Sequence, residues 1–187
     1  MKAIRKDRRY TYADYAKWND EARYELIDGV PYAMSPAPSP VHQRISGRLH
    51  GQLWQFLKGR SCEVFAAPFD VRLNAAGDDD DIVVQPDLSV VCDKSKLDDK
   101  GCNGAPDMVL EILSASSESR DKVLKFNRYL QAGVREYWMV DPDGKTVQVC
   151  ILDKGKYVIS AYADTDAVPV HVLEGCTISL PDVFADL

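Results

Sequence analysis

The sequence predicts a mixed α/β domain. Three observations carry that prediction. Apolar runs of strand length recur along the chain, two stretches of helical period interrupt them, and Gly, Pro and Asp clusters punctuate the boundaries. The stretch between "VLEIL" and "EYWMV" is long enough for a crossover helix, which makes those two strands parallel.

Taken in order, residues 12–19 carry a short helical pattern. "YELIDGVPYAM" reads as two strands around a turn at Asp28-Gly29, a strong hairpin signal. "SPAPSP" is a proline loop. Ile45, Leu49, Leu53 and Leu57 then recur every four residues, an amphipathic helix for which Gly59 is a natural stop. "CEVFAAPFDVRL" sets Phe65, Ala67, Phe69, Val71 and Leu73 at period two, one strand. "NAAGDDDD" is a turn, "IVVQPDLSVVC" a second strand with Asp87 inside it, and "DKSKLDDKGCNGAP" a loop. "DMVLEILS" is a third strand. Helical spacing runs from about 117 to 132, with Gly133 at the cap. Residues 135–163 read as strands turning at 142–144 and 154–155, and "TISLPDVFADL" as a strand and a last turn. No repeat or linker appears, so residues 1–187 read as one domain.

Hydrophobic residues make up 45% and charged residues 28%, an ordinary globular balance. No apolar run approaches the roughly 18 residues that cross a bilayer. The basic start lacks the apolar core of a secretory signal. Together these predict a cytoplasmic protein without membrane contact. The five cysteines are odd in number and form no CxxC pair, which argues against a disulfide framework or zinc site; Cys102 reads as the most exposed of them. The net charge of -6 argues mildly against broad nucleic-acid binding. Yet bases gather at Arg44 and Arg48, and again at Arg120, Lys122, Lys125 and Arg128.

Two acids interrupt apolar strands: Asp87 in "VVQPDLSVV" and Glu111 in "MVLEIL". An ionised carboxylate there needs a partner. If the strands are neighbours, the two carboxylates meet near one sheet end, where like charges repel unless a proton or cation lies between them. Hard oxygen donors suit Mg²⁺ or Mn²⁺. Asp121, Lys125 and Tyr129 are four apart on the following helix and share a face. A lysine beside two acids and a metal orients water or neutralises phosphate charge. Simpler partners stay open: Asp87 as a turn residue after Pro86, Glu111 paired with Arg72, and Lys125 as a solvated surface lysine.

These residues carry a resemblance. "QPDLSVV", "VLEILS", "SRDKVLKFNRYLQAGVREYWMVDP" and the N-terminal "YELIDGVPYAMSPAPSPVHQRI" resemble the Uma-two family, a restriction-endonuclease-like branch of the PD-(D/E)XK nuclease superfamily, over about residues 11–180. The resemblance implies an α-β-β-β-α-β core with flanking helices and extra C-terminal strands. It also implies Mg²⁺-dependent phosphodiester cleavage in DNA, with Mn²⁺ able to substitute. Asp87 and Glu111 become metal ligands, joined by the backbone carbonyl of Ile112. The lysine expected two residues after the acid is Leu113 here, so the resemblance shifts that role to Lys125, with Lys122 as fallback. Glu25 matches the N-terminal acid of the family; an arginine pair from the N-terminus is its simpler reading. His42 and Tyr129 are candidates to approach substrate, with structural roles the alternative. Relatives of this superfamily often pair to cut both strands, which implies a homodimer, and "REYWMV" or "KTVQVCIL" are candidate edges.

The leading expectation is a metal-dependent endonuclease. The competing one is a catalytically silent nucleic-acid-binding or assembly module on the same fold. A metal-free glycosidase needs aromatic cleft walls, whereas Trp18, Trp54 and Trp138 sit in core-like patterns. No cysteine lies in a recognisable nucleophile motif.

Overall fold

Pro68 and Pro86 decide how the chain is layered. Proline supplies no ladder donor and interrupts an interior strand. The computed structural model, which describes residues 8–18, 22–34, 37–114 and 120–187, accordingly splits each of the two strands expected around them. In chain order the elements are α1 (Tyr12–Tyr15), β1 (Tyr24–Ile27), β2 (Val30–Ala33), α2 (Pro40–Leu57), β3 (Glu63–Ala66), β4 (Val71–Arg72), β5 (Val83–Val84), β6 (Leu88–Val91), β7 (Leu97–Asp98), β8 (Gly101–Asn103) and β9 (Met108–Ile112). They continue as α3 (Phe126–Ala132), β10 (Glu136–Asp141), β11 (Thr146–Asp153), β12 (Lys156–Ala163), β13 (Ala167–Pro169), β14 (Thr177–Ser179) and α4 (Leu180–Val183).

The main sheet runs β12-β11-β10-β9-β6-β3, and a second runs β2-β1-β5-β4-β8-β7. The single strand expected over 62–73 is therefore β3 in the main sheet and β4 in the second. The strand expected over 82–92 is likewise β5 and β6. Asp87 does not lie within a strand but at the crossing between sheets, one residue before β6. That exit from the ladder is why a carboxylate is tolerated there. The "DKSKLDDKGCNGAP" stretch is not only loop: it holds β7 and β8. The sequence α2-β3-β6-β9-α3-β10 reproduces the expected α-β-β-β-α-β order, and β9 and β10 pair in parallel, Glu136 against Met108.

α2 starts where Ser39 accepts the His42 N–H at 3.2 Å and Pro40 opens the first turn. Ile45, Leu49 and Leu53 are fully buried, as their spacing predicts, against Leu88, Met108 and Leu110 of the main sheet. Each such burial is worth roughly 1.5–3 kcal/mol. The opposite face of that sheet meets the second sheet and α3 through Val109, Tyr137, Val71, Val84 and Tyr129. Side chains alternate along β9. Met108, Leu110 and Ile112 pack toward α2, so Glu111 points toward α3 and the second sheet.

Several expectations need correction. α1 is one turn of helix rather than the full 12–19 stretch, whose residue 19 lies outside the described residues. The helix expected over 117–132 is a π-type turn at Arg120–Lys125 followed by α3; residues 115–119 lie outside the described residues. "REYWMV" and "KTVQVCIL" are β10 and β11, interior to the sheet; its edges are β12 and β3. Cys102 is fully buried. Cys62 and Cys92 form a disulfide across β3 and β6, extending the Glu63–Val91 pair by one residue. Sequence spacing misses this pairing because only the strand register brings the two together. No described helix is long and apolar enough to cross a membrane.

Candidate active site

Three elements from three layers converge on Glu111. The main sheet delivers Glu111 itself on β9. The second sheet delivers Glu25 on β1. The end of the π-type turn delivers Lys125 between them. The Lys125 ammonium lies 2.8 Å from Glu111 Oε1 and 2.7 Å from Glu25 Oε1. Side-chain exposures of 4%, 5% and 1% for Lys125, Glu111 and Glu25 show that this is a buried ion triad rather than a surface contact. Tyr129, one α-helical turn beyond Lys125, donates its phenol to Glu111 Oε1 at 2.7 Å. Burial, then the charge of Glu111, push the Tyr129 pKa well above the ordinary value of 10. It therefore remains a hydrogen-bond donor. Glu25 Oε1 also accepts the Gln85 N–H at 3.0 Å.

Asp87 faces the same cleft. Leu88 pairs with Leu110, so the next antiparallel step sets Asp87 opposite Glu111. Asp87 Oδ2 accepts the Ile112 N–H at 2.7 Å and lies 3.2 Å from His42 Nε2. His42 Nδ1 is buried without a hydrogen-bond partner among the described residues. Its ring is thus held against Asp87 from the first turn of α2. The cleft has a volume of about 700 Å³ and is lined by Arg23, Glu25, His42, Asp87, Glu111 and Lys125, among others.

Of the alternative partners, Arg72 bonds Asp98 at 2.5 Å instead of Glu111. Arg8 pairs with Asp14, and Arg9 donates to the Asp28 carbonyl, so neither takes Glu25 as its partner here. Lys125 is buried rather than solvated. Leu113, where the superfamily lysine is expected, packs into the apolar layer. The side chains of Arg120, Asp121 and Lys122 lie outside the described residues. Because Arg120–Lys125 is a π-type turn, the α-helical spacing that set Asp121 and Lys125 on one face does not apply to it. Two bases expected to meet phosphate are occupied elsewhere: Arg48 holds the carbonyls of Val183 and Ala185, and Arg128 pairs with Asp28. Arg44 is exposed on α2.

The geometry also adds residues that sequence reasoning passed over. Arg23 Nε donates to Gln85 Oε1 at 3.1 Å; Gln85 Nε2 donates to Asp70 Oδ1 at 2.7 Å and to the Tyr15 hydroxyl at 3.0 Å. Burial raises the Asp70 pKa against the opposing hydrogen bonds of Gln85 and Tyr15. The signals were present: Gln85 and Asp70 are polar interruptions of apolar runs, as Asp87 is.

Among the described residues, no three His, Cys, Asp or Glu side chains form a ready metal cage. The donor chemistry still fits Mg²⁺ or Mn²⁺. Mg²⁺ takes one or two carboxylates and keeps several waters. Asp87 and Glu111 offer such donors from adjacent register positions, and Ile112 lines the same cleft. The acids Glu25, Asp87, Glu111 and Asp143 line the cleft against two permanent cations, Arg23 and Lys125, leaving an excess of negative charge for a divalent cation to offset.

Comparison with known proteins agrees with this architecture. The Uma2 family model, described as "Putative restriction endonuclease", matches residues 11–181. An uncharacterized protein of Synechocystis sp., slr1290, is 28% identical over 157 residues, covering 82% of this chain and 80% of that protein. The crystal structure of "a putative nuclease belonging to DUF820" from Anabaena variabilis has a TM-score of 0.74 at 22% identity, covering 94% of this chain and 97% of that one. This likeness shows a shared restriction-endonuclease-like fold.

Proposed function

The chain belongs to the Uma2 family, and from that premise we propose that it is a Mg²⁺-dependent endonuclease hydrolysing phosphodiester bonds in DNA. One observation carries the reading: three carboxylates from two sheets and a strand crossing share a cleft with a single buried lysine. Asp87 and Glu111 would hold the ion, with the Ile112 carbonyl as a further ligand. When bound, Mg²⁺ supplies Lewis-acid chemistry, withdrawing charge from a phosphate oxygen and acidifying water.

The chain's own residues set up the rest. Glu25 fixes the Lys125 ammonium by a 2.7 Å contact, so its charge is in place before substrate arrives. Lys125 then offsets negative charge that develops on the phosphate and orients the attacking water. Tyr129 orients Glu111 through its neutral phenol. His42 and the Ile112 N–H hold Asp87. Arg23 offers the cleft a guanidinium for a neighbouring phosphate.

The test is nicking of supercoiled plasmid. Wild type should nick with Mg²⁺ or Mn²⁺ and stop with a chelator, and Asp87→Asn and Glu111→Gln should each be inactive while folded. Undiminished cleavage by both variants, or cleavage equal in chelator, overturns the proposal. One observation favours the silent-module alternative: Lys125 already neutralises part of the acid cluster without a metal. Calorimetry with Mg²⁺ or Mn²⁺ separates the two, because a silent module gives no metal heat in wild type or Asp87→Ala.

A further inference from the structure

We propose that β12 is the surface through which two copies of this chain pair, antiparallel about a two-fold axis centred on Ser160. β12 ends the main sheet and pairs only with β11 among the described residues. Val158 and Ile159 are 57% and 51% exposed on its two faces, unusual for β-branched residues on a strand eight residues long. Such an edge presents an unpaired row of N–H and C=O groups and is a template for another strand.

The turn fixes which groups are presented. Lys154 and Gly155 have φ of 48° and 80°, the left-handed pair of a two-residue type I′ hairpin. The closing pair Asp153–Lys156 then carries ladder hydrogen bonds, and outward-facing main-chain groups fall at alternate residues: Tyr157, Ile159, Ala161 and Ala163. The Ala163 N–H confirms this parity, because it bonds the Asp166 carboxylate at 2.7 Å rather than β11. A second copy must set outward residues against outward residues, so permitted registers differ by steps of two.

Charge selects among them. Lys154 and Lys156 stand at one end of β12, and Asp164 and Asp166 just beyond the other. Centring on Ser160 places Lys156 against Asp164 and Lys154 against Asp166 of the second copy, at both ends of the pair by symmetry. The same register sets Ile159 against Ala161 at both sides of the axis, pairs whose main-chain groups face outward, and ends the shared ladder at Ala163, whose N–H and C=O are both taken by Asp166. A slip of two residues either way breaks one class of charge match. Self-complementarity in charge, from one strand, points to a copy of this chain as the occupant, and the hydrogen-bond parity is compatible with it. This inference does not depend on the nuclease reading.

The test is sedimentation velocity of the purified full-length chain over a concentration series. Wild type should dimerise. Lys156→Asp and Asp164→Lys should each weaken the dimer tenfold or more, because like charges then meet at both ends, and the double variant K156D/D164K should restore it. Ile159→Pro should also give monomer, since it removes an outward N–H without a β11 partner. Circular dichroism would confirm each variant folded. A monomeric wild type, a dimer indifferent to both single charge reversals, or a double variant as weak as the singles overturns the proposal. None of these outcomes bears on plasmid nicking.

Discussion

Replacing Lys125 with methionine isolates the buried triad. Methionine keeps the length and apolar stem of lysine and removes the ammonium. Glu25 and Glu111 then remain buried, at 1% and 4% residue exposure, without the cation 2.7 and 2.8 Å away. Removing one partner of a buried ion pair costs about 3–5 kcal/mol, because the orphaned charge stays desolvated. Here two carboxylates lose the same cation, though Tyr129 and the Gln85 N–H still reach them. The upper half of that range is expected. For a chain of 187 residues, unfolding entropy of about 2.1 cal/mol/K per residue turns this into a fall in Tm of roughly 10–13 °C. The assay is urea and thermal unfolding followed by circular dichroism at pH 7. The triple variant Glu25→Gln/Glu111→Gln/Lys125→Met should recover more than half of the loss. A loss below about 1 kcal/mol at pH 7, or an equal loss in the triple variant, would refute the claim that the lysine is held by charge rather than packing.

Lys125→Ala should reduce plasmid nicking by about 10²–10³-fold, the scale for one preorganised charge-stabilising group, and far more than Lys122→Ala; the reverse ranking moves the role to Lys122. Tyr129→Phe should cost about 1.5–3 kcal/mol of stability, the worth of a hydrogen bond to a charged acceptor, read by urea unfolding. Arg23→Ala should weaken DNA binding and lower the slope of log K against log salt by about one, measured by fluorescence anisotropy in Ca²⁺ to block turnover; an unchanged slope removes its phosphate contact. Glu136, fully buried and accepting from Trp138 Nε1 and Val172 N–H, has its pKa raised chiefly by burial. The stability it contributes is complete below the ordinary carboxylate pKa and is lost as pH rises through the raised value. The stability of wild type minus that of Glu136→Gln should thus fall as pH rises from about 4 to 7; a difference that grows contradicts the shift.

Much of the layering was legible because it is local. The four-residue apolar period of α2 and the Asp28-Gly29 and Lys154-Gly155 turns each specify their own geometry, and each forms as read. Two carboxylates in apolar runs marked the site before any fold was known. What could not be read is whatever depends on distant register. The crossings at Pro68 and Pro86 turn two apparent strands into four, and so move Asp87 from a ladder to a sheet crossing. The Cys62–Cys92 bond follows from β3 lying beside β6, which no spacing rule contains. The partner of Glu111 was sought as a metal, whereas the structure first supplies Lys125 and Tyr129, brought in by the π-type turn and α3. The Arg23–Gln85–Asp70 chain joins the residue before β1, a sheet crossing and a loop, and emerges only from their packing.

The most direct measurement is the anomalous difference map of crystals soaked in Mn²⁺. The account predicts one strong peak in the cleft with carboxylate oxygens of Asp87 and Glu111 about 2.0–2.3 Å from it, and loss of that peak in Asp87→Ala. A map without a peak between residues 87 and 111, from crystals whose wild-type protein nicks plasmid in Mn²⁺, contradicts it.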